Sequence, residues 1–114
     1  MTNERKDIDD LDLGYDLRIT KTARRASCGG TWVCGTIHEH RFEALVFPEH
    51  AENPDYEIGD SRISKLGLYR RVDAALEREV YNWDRGLDVP PADPVAAAIV
   101  DFLCAGLAEH TYGR

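Results

Sequence analysis

The pattern of apolar and polar positions predicts several short strands followed by one helix. Residues 15–22 alternate strictly between the two classes, residues 31–38 are rich in β-branched and aromatic types, and residues 41–47 place Phe42, Ala44 and Val46 on one face. A period of two is typical of a strand with one buried face. Because only Glu39 and His40 separate the second run from the third, we predict a tight hairpin there, although this pair is not a preferred turn pair.

The middle of the chain is also predicted to be extended, apart from one stretch that could be either helix or strand. In residues 61–70, Leu66 and Leu68 face one way and Ile63 the other, which either a β-bulge or a two-sided strand would explain. In residues 72–83 apolar side chains recur at helical spacing, whereas residues 79–83 also alternate as in a strand. The pattern alone leaves helix and strand open over residues 72–83.

The clearest predicted helix lies at the C-terminal end. Asp93 is a good N-cap and Pro94 suits the first helical position. An apolar stripe follows, made of Val95, Ile99, Phe102, Leu103 and Gly106. The predicted fold is therefore α+β, an antiparallel meander of four to five strands packed by one C-terminal helix. We expect residues 1–13 to form a flexible acidic tail and residues 14–114 to form a single domain.

The net charge of the chain limits the kinds of molecule that it is expected to bind. The 114 residues include 21 acidic and 14 basic side chains, which gives a formal net charge of −7. Such a charge repels nucleic-acid phosphates at long range. Acidic residues concentrate in segments 1–13 and 48–60, and basic residues in segments 14–26 and 61–71.

The number of cysteines and the distribution of apolar residues indicate the cellular compartment in which the protein is expected. The chain has three cysteines, and the N-terminal residues lack the apolar core of a signal peptide. We therefore expect reduced thiols and a cytoplasmic location. A membrane partner is not expected, because no continuous apolar run approaches the roughly 20 residues that span a bilayer.

Three short motifs suggest a family. They are Trp32-Val33-Cys34-Gly35-Thr36-Ile37, Asp60-Ser61-Arg62-Ile63-Ser64-Lys65-Leu66 and Tyr81-Asn82-Trp83-Asp84-Arg85-Gly86. Together with the closing helix they resemble a family of small uncharacterised domains from bacteria and their mobile elements. The resemblance implies a sheet-plus-helix domain without an assigned activity, and it favours a fifth strand over residues 78–85.

One candidate for chemistry is a metal-binding or thiol protein centred on residues 28–40. Cys28, Cys34, His38 and His40 are all potential zinc ligands, but their spacing differs from that of common zinc sites. In a strand, Cys34 and His38 would be roughly 13 Å apart. Neighbouring cations and glycine amides at Cys28 favour a thiolate, yet nothing in the sequence places a base beside it. We therefore assign no catalytic residue and expect no metal or other cofactor.

A second candidate is a nucleic-acid-binding module. Its basic residues would converge if the first and fourth strands were neighbours, and aromatic side chains would supply stacking. The low pI and the lack of a known binding motif argue against it. The residues concerned are Arg18, Lys21, Arg24, Arg25, Arg62, Lys65, Arg70 and Arg71.

The preferred hypothesis is a non-enzymatic protein-interaction domain. An acidic segment with aromatic anchors suits a basic protein partner, or a second copy of the chain bound through an exposed sheet edge. Small acidic proteins of mobile elements often act as stoichiometric inhibitors or accessory proteins, which is an argument from class. The predicted contact residues are Glu49, Glu52, Asp55, Tyr56, Glu57, Asp60 and Trp83.

Overall fold

The computed structural model describes residues 13–113. Residues 1–12 of the predicted acidic tail lie outside the described residues, and Leu13 begins a short helical turn. The elements are α1 (Leu13–Asp16), β1 (Arg18–Arg24), β2 (Thr31–Ile37), β3 (His40–Val46), a 3-10 turn (Pro54–Tyr56), β4 (Ile63–Asp73), β5 (Leu76–Asp84), β6 (Leu87–Val89) and α2 (Pro94–Tyr112).

The strands form one antiparallel sheet in which each strand pairs with its neighbours in the chain. The order is β1-β2-β3-β4-β5-β6, and α2 follows the last strand. The α+β class and the meander are thus confirmed. The described residues contain six strands, where four to five were predicted. The pattern did not indicate β6 because this strand spans only three residues.

The first strand begins later than predicted. The sequence placed a strand over residues 15–22, but Tyr15 belongs to α1 and β1 starts at Arg18. Ile19 pairs with Gly35 and Lys21 pairs with Cys34, so a β-bulge separates them. A bulge reverses the alternation of faces, and Lys21 therefore does not share the face of Ile19 as predicted.

The predicted hairpin between β2 and β3 is present, with its turn one residue earlier. Its central residues are His38 and Glu39, with φ angles of 48° and 62°. A type I′ hairpin turn requires a left-handed conformation at both central residues. Here both residues adopt it although neither is a glycine. The backbone N–H of His38 donates to the Asp16 carboxylate at 2.6 Å. The N–H of Arg71 donates to the Glu39 carbonyl at 3.4 Å.

The two uncertain stretches in the middle of the chain are strands. Val46 pairs with Ile63 directly after Leu45 pairs with Lys65, so the bulge is the correct one of the two explanations, and it lies at the start of β4. This bulge brings Ile63 into the core, where it is fully buried. The stretch that was ambiguous between helix and strand belongs mainly to β5, as the family resemblance implied.

Helix α2 has the predicted start and covers one face of the sheet. Asp93 caps it by accepting from the Ala96 N–H at 2.8 Å, and Gly113 ends it with a φ of 77°. Its buried side chains pack with those of β2 to β5 in one core. By length and composition α2 is a candidate membrane span, but its buried side packs on the sheet. The buried helix residues are Ala96, Ile99, Val100, Leu103, Leu107 and Ala108.

Polar contacts connect strands on the sheet face opposite α2, which we call the open face. Arg41 of β3 donates from Nε to both carboxylate oxygens of Glu77 in β5, at 3.1 and 3.0 Å. Its guanidinium carbon lies 4.5 Å from the ring centroid of Tyr69 in β4. The contact with Arg41 lowers the pKa of Glu77. These contacts join three neighbouring strands and explain why the open face holds charged side chains.

Candidate functional site

Charged, aromatic and thiol side chains come together at one end of the sheet. In a meander, alternate connections emerge at the same end, so β1–β2, β3–β4 and β5–β6 meet there. They enclose a cavity of about 580 Å³, which we call the loop-end pocket. This volume is in the range of small-molecule sites. Its wall is formed by Arg25, Cys28, Gly29, Gly30, Leu45, Phe47, Pro48, Glu49, His50, Ala51, Tyr56, Glu57, Arg62, Ser64, Lys65 and Arg85.

Left-handed backbone conformations are concentrated around the loop-end pocket. Gly29 and Gly30 have φ angles of 73° and 84°, and the non-glycine residues Arg62 and Arg85 have 65° and 55°. Hydrogen bonds hold both arginines in place. The Arg62 carbonyl accepts from the Phe47 N–H at 2.9 Å, and the Arg85 N–H donates to the Ser64 carbonyl at 3.1 Å. Strained residues maintained by their surroundings often mark functional sites.

The long connection between β3 and β4 is held by local hydrogen bonds. The Asn53 side chain accepts from the Asp55 N–H at 3.0 Å and caps the 3-10 turn. Further along, the Ile58 N–H donates to the Ile63 carbonyl and the Ser61 N–H donates to the Ile58 carbonyl, both at 3.0 Å. These bonds fix the acidic segment on the rim of the loop-end pocket.

The pocket wall has more cationic than acidic side chains, although the whole chain is acidic. Arg25, Arg62, Lys65 and Arg85 face only Glu49 and Glu57 among the lining residues. Arg25 Nε donates to the Gly29 carbonyl at 2.8 Å, and Arg62 Nη1 donates to the Pro48 carbonyl at 2.6 Å. These backbone acceptors orient the two guanidinium groups at the pocket.

A buried carboxylate belongs to the same wall. The Glu57 side chain is 5% exposed, and its Oε2 lies 3.0 Å from Nδ1 of His50, which is 60% exposed. Its Oε1 is buried and has no hydrogen-bond partner among the described residues. A buried carboxylate oxygen without a partner is costly, so this atom is a place where an added donor would stabilise the structure.

The predicted partner-binding residues fall into two groups. Glu49, Tyr56 and Glu57 line the loop-end pocket, and Glu52, Asp55 and Asp60 are exposed along the same connection. Trp83 is elsewhere. It lies on β5, is half-buried against the core, and its indole Nε1 is buried without a partner among the described residues. It is therefore poorly placed to act as an exposed anchor.

The predicted nucleic-acid residues do not form one patch. They were expected to converge if the first and fourth strands were neighbours, but β2 and β3 separate β1 from β4. Arg25, Arg62 and Lys65 reach the loop-end pocket, whereas Arg18 and Arg71 lie at the opposite end of the sheet. Arg70 lies 3.6 Å from the Asp93 carboxylate, and Lys21 lines a shallow groove on the open face. Arg24 ends β1 and is exposed.

The four residues considered for a metal site are also apart. Cys28 lies in the β1–β2 connection and Cys34 is within β2. His38 lies in the β2–β3 turn and His40 begins β3, at the opposite end of the sheet from Cys28. Burial lowers the pKa of His40, whose Nδ1 contacts the His38 carbonyl at 2.6 Å. Within residues 13–113 no group of three histidine, cysteine or acidic side chains is arranged to hold a metal ion.

Sequence reasoning missed several residues of the loop-end pocket. The sequence placed Phe47 in a strand and Arg85 in a family motif, and it assigned neither these two residues nor His50 to a common site. These residues converge because the meander brings three separate connections to the same end of the sheet. The Arg85-Gly86 pair was the one local signal, because it marks a left-handed turn at the end of β5.

Comparisons with known proteins agree with the family resemblance at a coarse level. No curated protein and no solved structure is detectably similar to the chain. A family model described as a domain of unknown function, DUF7678, matches residues 31–108, which spans β2 to most of α2. The chain therefore belongs to the DUF7678 family, a family of uncharacterised domains.

Proposed function

We propose that the chain is a non-enzymatic protein-interaction domain that contacts its partner through the acidic segment Glu49 to Asp60. The observation that carries the proposal is the fixed shape of this segment. Its backbone is held by the hydrogen bonds at Asn53 and Ile58, while the Tyr56 side chain is 49% exposed. A segment ordered before binding loses less conformational entropy on association than a flexible one.

The chemistry of the segment suits a basic protein surface. Glu49, Glu52, Asp55 and Asp60 are exposed around Tyr56. Tyrosine is enriched among the residues that dominate binding energy, and surrounding charges steer association. Within this role, we favour a stoichiometric inhibitor or accessory protein of a mobile element, on the class argument made from the sequence.

The test compares capture by matched variants. A double variant, Tyr56→Ala with Asp55→Lys, removes the aromatic side chain and reverses one charge on the segment. A control, Val72→Ala with Asp101→Lys, makes the same kinds of change at the exposed Val72, in β4, and the exposed Asp101, on α2. Both variants and the wild type would be immobilised and exposed to nuclease-treated lysate.

We expect a partner in near-equal amount on the wild type and the control, and at least about tenfold less on the segment variant. Equal capture by all three forms, or no saturable protein partner at all, would contradict the proposal. Light scattering of the purified chain tests the version in which the partner is a second copy. In that version the segment variant dissociates and the control does not.

A further inference from the structure

We propose that the loop-end pocket binds a nucleoside monophosphate. This inference goes beyond the protein-interaction role and does not depend on it. The pocket combines three features in one cavity of about 580 Å³: cationic side chains, aromatic rings and a buried carboxylate. The volume is suited to one nucleotide and small for a folded partner's surface.

The cationic side chains favour an anionic ligand. Arg25, Arg62, Lys65 and Arg85 come from three connections and one strand, so the fold itself brings them together. Lys65 Nζ and Arg85 Nε lie 3.7 and 4.0 Å from the same Asp84 oxygen. Asp84 is half-exposed and carries one negative charge, whereas Lys65 and Arg85 together carry two positive charges. The pair of cations therefore keeps a net positive charge that can attract an anionic ligand. Guanidinium groups bind phosphate oxygens in a bidentate geometry.

The aromatic rings favour a planar group beside that anion. The Arg25 guanidinium carbon is 5.8 Å from the Phe47 ring centroid, and that of Arg85 is 6.0 Å from the Tyr56 ring centroid. In each pair the cation lies over the face of the ring, so the pocket wall offers guanidinium planes that are already stacked on aromatic rings. Nucleobases stack on aromatic rings and on guanidinium planes, while their phosphates accept from the same cations.

The buried carboxylate favours a ligand that also donates hydrogen bonds. Glu57 lines the pocket with Oε1 lacking a partner among the described residues, and Oε2 contacts the exposed His50. Nucleobases present N–H donors, and Asp and Glu accept from such groups. An inorganic anion without a hydroxyl group, such as sulfate, has no donor for this carboxylate. The wall thus matches a ligand with a phosphate and a nitrogen heterocycle.

The test is a titration of the full chain followed by backbone amide NMR. The probes are the 5′-monophosphates of adenosine, guanosine, cytidine and uridine, the four nucleosides, and inorganic phosphate. We expect at least one monophosphate to bind about tenfold or more tightly than its nucleoside and than phosphate. Its shift changes should centre on the amides of Gly29, Gly30, Tyr56 and Arg85, which surround the pocket.

Two variants separate binding from folding. Arg85→Asn keeps a residue that tolerates the left-handed φ of 55° while removing the cation, so it should fold and bind about tenfold more weakly. Glu57→Gln keeps the size of the side chain and should change which nucleobase is preferred. Arg78→Asn, at an exposed arginine of β5 outside the pocket, is the matched control and should bind as the wild type does.

The proposal is wrong if no monophosphate binds, or if phosphate alone binds as tightly as the best nucleotide. It is also wrong if the shift changes lie away from the three connections, or if Arg78→Asn weakens binding as much as Arg85→Asn. The wild-type titration and its shift map decide the matter even if a variant is unstable. None of these results depends on the capture experiment with protein partners.

Discussion

Gly35 shows how one residue in the middle of β2 controls the packing of the first strand. A Cβ atom built at this position would lie 2.3 Å from the Arg18 carbonyl oxygen and 2.9 Å from the Phe42 ring. Neither a backbone carbonyl nor a fully buried ring can yield easily. The glycine of the Trp32 to Ile37 motif is therefore explained by the close approach of β1 and Phe42.

The variant Gly35→Ala should lower the free energy of unfolding by about 2–4 kcal/mol, because β1 or Phe42 must shift to admit a methyl group. Urea denaturation followed by tryptophan fluorescence measures the effect. Gly106→Ala is the control, since a Cβ at this helical position meets open space. It should raise stability by about 0.5–1 kcal/mol. Equal stability of Gly35→Ala and the wild type would refute the packing argument.

The three free cysteines differ in environment, which predicts their order of reaction. Burial raises the pKa of Cys104 to about 11, so its thiol is protonated at neutral pH. Cys28 is exposed in the β1–β2 connection. Because the thiolate is the reactive form, iodoacetamide should label Cys28 well before Cys104. Peptide mass spectrometry at timed intervals would show this, and comparable labelling rates would contradict it.

Among the elements, the β2–β3 hairpin contains the clearest local strain. His38 and Glu39 have left-handed φ angles that Asn and Gly adopt at lower cost. The double variant His38→Asn with Glu39→Gly should therefore raise the free energy of unfolding by about 1 kcal/mol. The backbone hydrogen bond from residue 38 to Asp16 does not need the histidine side chain.

Thermal unfolding of the double variant and of Glu39→Ala tests this explanation. Alanine has the same difficulty as glutamate at a positive φ, so Glu39→Ala should not be more stable than the wild type. If the double variant His38→Asn with Glu39→Gly were no more stable than the wild type, the turn would not contain the strain that we attribute to it.

The elements also show what local sequence can and cannot indicate. The alternation in β3 and the Asp93 cap are local features, and each was predicted from adjacent residues. The bulge before Leu66 was one of two explanations for the position of Ile63, and pairing with β3 decides between them. The bulge in β1 and the short β6 were missed, because both depend on pairing with another strand. The same reason applies to the loop-end pocket. Its acidic residues were identified by type, but the cations opposite them are brought there by topology.

For the whole molecule, His40 predicts a loss of stability in mild acid. Burial, the largest effect, lowers the pKa of His40, and the charges of His38 and Arg70 act in the same direction. The hydrogen bond to the His38 carbonyl and the Asp93 carboxylate raise this pKa, but the net shift is downward. The unfolded chain therefore binds a proton near pH 6.5, whereas the folded chain binds it only at lower pH. The free energy of unfolding should fall as the pH falls through about 6.5, and this contribution should level off below the folded-state pKa.

Urea denaturation at several pH values from about 7.5 to about 5.5 measures this dependence. Replacing His40→Phe should flatten it, because phenylalanine has no group that titrates. His110→Gln, at an exposed position near the end of α2, should leave it unchanged. An unchanged slope in the His40 variant would assign the pH dependence to other groups.

The order of the elements along the chain has a consequence for synthesis. Every strand pairs only with its sequence neighbours, so hairpins can form one after another as the polypeptide leaves the ribosome. The helix that covers Phe42, Leu66 and Leu68 comes after the last strand. A nascent chain that has completed β6 thus exposes one apolar face of its sheet until α2 emerges. Chains released between residues 89 and 112 lack all or part of α2, so they should be prone to aggregate through this face.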